Sequence, residues 1–405
     1  MDRTGTTAAG PWLDRAVDAD THEMVPFHLW AQEFGESVAE TMAPFAASPR
    51  FTDNGVNSIV RPDIVADDVP MTSEVVWTMK GAGAPAAIDM GRRTELMDLM
   101  GVDRALMFPS FGLIGMRLAA SPELAGPAFA LDITAADARR IGVEVMEAAN
   151  DWAARVTGET GGRRLRPVAV MLLESADRMT AQLARLIEQG IRAIWIPAAS
   201  PPADTSPADP ALDAFWRMAA DADVAVTLHV GSDFSFAAST RWSANVPAFA
   251  TPKASVEFPV GPYTGATVNF ASENYLAAMV LGGVFERVPN LRFGVIEIGA
   301  GWFGPLAERL DMWAGELHKA LRGVLSMRPS EYLARNVRVT PLNFEPIDRY
   351  FERYPDLADC YCFSTDYPHL EGGAAIKAQN LATLGPLGAD VAEKYFVRNG
   401  EWLCP

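Results

Sequence analysis

The residues of this chain that could do chemistry gather at a few points: Asp18-Ala-Asp20-Thr-His22 near the start, then His229, then Glu297, and finally Asp366 in the run Cys360-Tyr-Cys-Phe-Ser-Thr-Asp-Tyr-Pro-His369. Each ends a short apolar, β-branched run, and a carboxylate or imidazole at a strand's C-terminal tip stands where barrel enzymes do chemistry. Residues two apart in a strand share a side, so Asp20 and His22 can aim at one point. With His229 and Asp366 they would make two imidazoles and two carboxylates converging from three strands. That set suits one divalent cation, Zn²⁺ first, which takes nitrogen and oxygen ligands and keeps a position open for water or substrate. Mn²⁺ and iron accept the same ligand types. Taken singly, each residue has a plainer explanation, since a buried His is usually hydrogen-bonded core and an Asp before a turn is usually a cap. Coincidence tips the balance: of five histidines, two fall on predicted strand tips.

Eight runs read as strands: 16–20, 104–108, 166–172, 192–196, 224–229, 291–297, 337–340 and 360–365. Amphipathic stretches stand between several of them. Ile141, Val145, Ala148 and Trp152 fall on one helical face, as do Met179, Leu183 and Leu186, and Leu306, Leu310, Trp313, Leu317 and Leu321. These stripes predict core packing. A helix containing Tyr275 to Phe285 should stop at Pro289 and Asn290, and Gly190 should end the helix before the fourth strand. Alternating βα units in this number predict a (β/α)8 TIM barrel, with residues 1–405 as a single domain. Two connections, 23–90 after the first strand and 232–272 after the fifth, are too long for plain loops and are read as pocket walls or lid.

Composition bounds the function. A hydrophobic fraction of 49% and a charged fraction of 21% are those of a globular protein, and no run approaches the ~18 apolar residues of a membrane helix. Residues Met1 to Gly10 lack the apolar core of a secretory signal, and three cysteines cannot form a disulfide framework. A reduced, cytoplasmic setting is expected. The net charge of −17 argues against nucleic acid or an anionic membrane as partner. It leaves a small, anionic substrate held by a few local basic groups.

Together these residues resemble the amidohydrolase-related family, in the branch similar to aminocarboxymuconate-semialdehyde decarboxylase and other non-oxidative decarboxylases. The resemblance spans about Asp18 to Trp402. Besides Asp-Ala-Asp-Thr-His22 and Phe363-Ser-Thr-Asp-Tyr-Pro-His369, it rests on the run from Arg92 to Arg104, on Leu228-His-Val-Gly231, on Ile296-Glu-Ile-Gly-Ala-Gly-Trp302 and on Pro329-Ser-Glu-Tyr332. It implies a (β/α)8 barrel holding one metal through a His-x-His on strand one, a His on strand five and an Asp on strand eight, in an enzyme that forms dimers. His22, His229 and Asp366 match that pattern. Asp20 replaces the first His of the pair, which hardens the site and brings Mn²⁺ closer to Zn²⁺. Glu297 stands where many members carry a His acid or base, and a Glu raised by burial can relay a proton in its place.

Other residues take supporting parts. His369 reads as a hydrogen-bond partner behind Asp366. His28, in the first insertion, and Arg241 and Trp242, in the second, are candidates for lining the substrate pocket. Cys360 and Cys362 read as small buried filler. The leading reading is a non-oxidative carboxy-lyase for a small aromatic or unsaturated carboxylic acid, with Asp366 or Glu297 delivering the proton that replaces CO₂. A metal-dependent hydrolase of an amide, ester, lactone or C–C bond uses the same residues with activated water. A barrel that has lost catalysis and serves as a binding scaffold is the third reading.

Overall fold

The computed structural model describes residues 10–48, 58–123, 132–231, 236, 242–249 and 261–405. The apolar runs form parallel strands: β1 (Ala16–His22), β2 (Val102–Phe108), β3 (Leu165–Pro167 and Ala169–Val170), β4 (Ala193–Trp195), β5 (Ala225–His229), β6 (Arg292–Ile296) and β7 (Val337–Val339). Near-continuous hydrophobic strands are what a parallel sheet covered on both faces demands. The two pieces of β3 act as one strand, because Val168 N still donates to Met107 O (2.9 Å) while Met171 N donates to Trp195 O (2.9 Å).

The eighth run closes the ring. Cys362 N donates to Val339 O (2.9 Å) on one side, and on the other Ala19 N donates to Phe363 O (3.0 Å) and His22 N to Tyr367 O (2.6 Å). Only isolated bridges pair residues 361–367 with their neighbours, because this stretch is bent where it reaches the mouth. The (β/α)8 barrel expected from the sequence is therefore present, with its eighth strand irregular.

Helices α1 (Arg93–Met100), α2 (Ser110–Ala120), α3 (Ala135–Thr160), α4 (Ala176–Glu188), α5 (Asp213–Asp221), α6 (Phe270–Leu281), α7 (Phe303–Glu316) and α8 (Pro329–Asn336) surround the strands. Each is placed by its apolar face: Met179, Leu183 and Leu186 of α4 are fully buried, as are Val145 and Trp152 of α3. Two expectations need correction. The stripe on α7 buries Leu306 and Leu310, but Trp313 and Leu317 are 51% and 54% exposed, because the helix ends at Glu316 beyond the reach of its neighbours. The helix expected through Phe285 breaks after Leu281 and resumes at Val284. Gly283 there adopts a left-handed φ of 75°, and a Cβ on Gly282 would sit 2.2 Å from that of Ala208.

Inside the ring, Val17, Ala19, Leu106, Phe108, Val170, Trp195, Ile296 and Cys362 pack as one cluster that extends to Leu403 and Cys404 near the C-terminus. Arg338 stacks 3.9 Å from the Trp402 ring, and Arg104 donates to Cys404 O (3.1 Å), so this terminal segment plugs the barrel opposite the strand tips. Described residues of the first insertion pack on the helices: Phe34 stacks on Phe111 at 4.0 Å, and Trp30 meets the same ring edge-on at 4.2 Å. No described helix is long and apolar enough to cross a membrane.

All three cysteines are free and buried, and burial pushes the thiols of Cys360 and Cys362 up to about 12 and that of Cys404 to about 11. A thiol reagent at pH 8 should label none of them in the native protein and all three after denaturation. Rapid native labelling of any one would contradict this packing.

Candidate metal centre

At the mouth of the barrel β1 departs from strict alternation. Its register with β2 shifts between Asp18 and Thr21, which lets Ala19 pack in the barrel interior while the adjacent Asp20 also turns to the mouth. His22 ends the strand, with Nε2 3.2 Å from Asp20 Oδ1. His229 ends β5. Its Nδ1 lies 3.0 Å from Val230 O, which assigns the proton there and leaves Nε2 facing Asp20 Oδ1 at 3.3 Å and Glu297 Oε2 at 3.3 Å.

Glu297 and Asp366 share an uncommon backbone. Both follow a strand in the left-handed region, with φ of 55° and 52°, where a non-glycine residue costs about 1 kcal/mol or more. Such strain persists where surroundings over-determine it, and it gathers at functional sites. Here the surroundings are visible. Glu297 N donates to Thr340 Oγ1 (2.8 Å) at the tip of β7, while Asp366 N donates to Asp20 O (2.9 Å) and His369 N to Asp366 O (2.8 Å). Gly372 passes so close beneath that a Cβ would lie 1.7 Å from Thr365 O. The side chain of Asp366 then reaches His22 Nε2 at 3.5 Å and His369 Nδ1 at 2.8 Å.

The ligand atoms of Asp20, His22, His229 and Glu297 all lie within 4.8 Å of one another, and His22, Asp366 and His369 form a second such group sharing His22. These are imidazole and carboxylate donors, nearly all buried, and a divalent cation fits them. Asp20 carries the point: it is 1% exposed, and its Oδ2 has no hydrogen-bond partner among the described residues. A divalent cation is a partner that would satisfy a carboxylate oxygen so buried. In the metal-free arrangement burial disfavours charge on His229, but the charge and hydrogen bond of Asp20, with Val230 O, raise its pKa overall.

A model of the amidohydrolase family matches residues 112–401. The chain belongs to the amidohydrolase family. It is accordingly an enzyme of the metal-dependent hydrolase or carboxy-lyase kind. No curated protein matches it significantly by sequence. Among solved structures, an amidohydrolase from Mycobacterium avium subsp. paratuberculosis superposes with a TM-score of 0.68 at 19% identity, covering 96% of this chain and 99% of the other. A 2,6-dihydroxybenzoate decarboxylase complexed with 2,6-dihydroxybenzoate gives 0.58 at 17% identity, with 96% and 99% covered. The 5-carboxyvanillate decarboxylase of Novosphingobium aromaticivorans, complexed with manganese and 4-hydroxy-3-methoxy-5-nitrobenzoic acid, gives 0.55 at 15% identity, with 96% of each chain covered.

The structure of this amidohydrolase thus brings Asp20, His22, His229, Glu297, Asp366 and His369 together. It does not bring His28 or Trp242 to them. His28 is exposed and acts on the charge of Asp63, and Trp242 is 71% exposed, while Arg241 lies outside the described residues. Several participants escaped sequence reasoning. Phe108 and Trp195 floor the site, their rings 4.2 and 4.8 Å from that of His229. Asp18 ties β1 to the closing run, accepting from Thr365 N (2.9 Å) and Thr365 Oγ1 (2.5 Å). Arg93 Nη2 donates to His22 O (2.5 Å) from a fully buried position. The one available signal was Asp18 itself, two residues before Asp20.

Proposed function

We propose that this amidohydrolase is a metal-dependent, non-oxidative carboxy-lyase acting on a small aromatic or unsaturated carboxylic acid. Asp20, His22, His229 and Asp366 hold the metal, Zn²⁺ before Mn²⁺. The observation that carries the reading is the third carboxylate. Glu297 stands 3.3 Å from His229 Nε2 beside an already sufficient ligand set, over a floor of aromatic rings. Its side chain is 15% exposed against 1% for Asp20, so of the two it is the one a bound molecule can touch. A bound divalent ion supplies Lewis acidity and a template for the substrate's carboxylate and a neighbouring oxygen. The chain's own task is the proton. As the C–CO₂ bond breaks, its electron pair stays on carbon and takes a proton from the carboxyl of Glu297 or Asp366, and CO₂ leaves neutral. His369 positions Asp366 through their 2.8 Å contact. Solved relatives that decarboxylate dihydroxybenzoate and carboxyvanillate support this substrate class. The buried free thiols favour the cytoplasm, and the family resemblance favours a homodimer.

Hydrolysis is the competing use of the same residues. With hydroxylated benzoic acids in ¹⁸O-enriched water, the enzyme should release one CO₂ per substrate consumed and leave no ¹⁸O in the aromatic product. Label in that product would establish the hydrolase instead.

A further inference from the structure

Among the described residues, the insertion after β1 returns to the closing run of the barrel at the positively charged Lys80. Gly81 N donates to Pro368 O (2.8 Å), which docks this turn on the closing run of the barrel. Lys80, immediately before it, sets its Nζ 5.6 Å from the centroid of the Tyr367 ring, one residue after Asp366. Burial pulls the pKa of Lys80 down, and Asp366, followed by Asp18 and Glu371, holds it up. Lys80 is half-buried and lies within the field of the site's carboxylates. Among the described residues its contacts are an aromatic face and attraction at a distance, which leave its three N–H donors available to a ligand.

Charge gives this placement a purpose. Two ligand carboxylates, Asp20 and Asp366, match the two positive charges of a divalent ion, with His22 and His229 neutral as ligands and Glu297 a third carboxyl beside them. The ligand set thus leaves no surplus positive charge directed at the substrate, and holding an anion there calls for a separate cation. Arg93 adds a buried positive charge behind His22 but is not placed to touch a substrate. It is 1% exposed, its Nη2 donates to His22 O, and its guanidinium lies against the Tyr367 ring at 5.3 Å.

We propose that Lys80 is the anion anchor of this site: its ammonium meets a negatively charged oxygen of the substrate bound above Asp366 and makes the enzyme select acids over their neutral counterparts. The inference rests on the reading of the site as one for carboxylic acids and adds the residue that sets that preference. A charged hydrogen bond of this kind is worth about tenfold or more in affinity.

Calorimetric binding to the metal-loaded full chain tests it, with salicylate and its neutral analogue salicylamide as probes. The unaltered protein should bind salicylate about tenfold tighter than salicylamide. Lys80→Met should lose about tenfold for salicylate, keep its salicylamide affinity, and retain metal content and melting temperature. Lys80→Arg should keep most of the preference, because charge is restored. The anchor is overturned if Lys80→Met binds salicylate as the unaltered protein does, if it weakens both probes equally, if the charge-restoring variant behaves like the Met variant, or if the unaltered protein shows no preference. The two proposals fail separately. A preference that depends on Lys80 in a protein found to bind no metal would sink the metal-dependent lyase and leave the anchor standing; full metal content without the preference would do the reverse.

Discussion

Asp20→Ala, purified after growth with Zn²⁺ and Mn²⁺, retains less than about a tenth of an equivalent of metal where the unaltered enzyme holds about one, and turnover falls by about a thousandfold. Asp20 Oδ1 is the common neighbour of His22 Nε2 and His229 Nε2, at 3.2 and 3.3 Å, while its Oδ2 is buried without a donor among the described residues. Removing this carboxylate takes away the negative charge at the centre of the group and the oxygen that links strands β1 and β5. A ligand is expected to matter more than its outer partners, whose loss alone weakens metal affinity about 10- to 100-fold. Elemental analysis reads the outcome directly, and a full equivalent of metal in Asp20→Ala would remove Asp20 from the ligand set. A second readout follows from His229, whose pKa is raised beside Asp20 in the absence of metal. Ligation needs the neutral imidazole, so loading the metal-free enzyme should release protons, more at pH 6 than at pH 8, and Asp20→Ala should release fewer. The sign is fixed by the shift: the raised pKa means the metal-free site holds more proton near neutrality than a free imidazole would, and all of it must leave.

Much of this was legible because the relevant signals are local. The β-branched runs ending at His229 and at Ile296-Glu297 read as strands since a parallel barrel buries both strand faces, and no other element of that length is so uniformly apolar. His22, His229 and Asp366 could be placed at strand tips for the same reason. The illegible part depends on backbone that composition does not report. The alternation that pairs Asp20 with His22 holds, but the register shift between Asp18 and Thr21 is a matter of pairing with β2 that composition does not report. The left-handed φ of Glu297 and Asp366 belongs to residue types for which that conformation is uncommon, so the turn of Glu297 toward His229 could not be read from its position. The apolar stripe continuing through Trp313 and Leu317 was sound periodicity that no described residue covers. Lys80 and Arg93 reach the site across long chain separations, which helical or strand periods cannot anticipate.

Asp18 carries the largest stability effect expected away from the ligands. Its Oδ1 accepts from Thr365 N (2.9 Å) and Asp20 N (3.2 Å), and its Oδ2 accepts from Thr365 Oγ1 (2.5 Å), so one side chain 1% exposed fastens the first strand to the closing run. Asp18→Ala strands buried donors on both sides of that seam and should lower stability by about 3 kcal/mol. Asp18→Asn should cost about 1 kcal/mol or less, because its Oδ1 keeps both backbone donors and its amide can donate to Thr365 Oγ1. The two variants also differ with pH. Burial raises Asp18 to about 7 from an ordinary 3.8, despite the hydrogen bonds from Thr365 and Asp20 that favour its charged form. Between about pH 4 and pH 7 the native state therefore binds more protons at this group than the unfolded chain does. The contribution of Asp18 is fully present below that window and declines as pH rises through it. A divalent ion at Asp20 would favour the charged carboxylate nearby, so the slope should be steepest in protein stripped with chelator. Denaturant midpoints of stripped protein measured from pH 4 to 7.5 should show the decline in the unaltered chain and a flatter profile in Asp18→Asn. Equal slopes in the two proteins would mean that Asp18 is already ionised across the window and that the seam between Asp18 and Thr365 is held by charge.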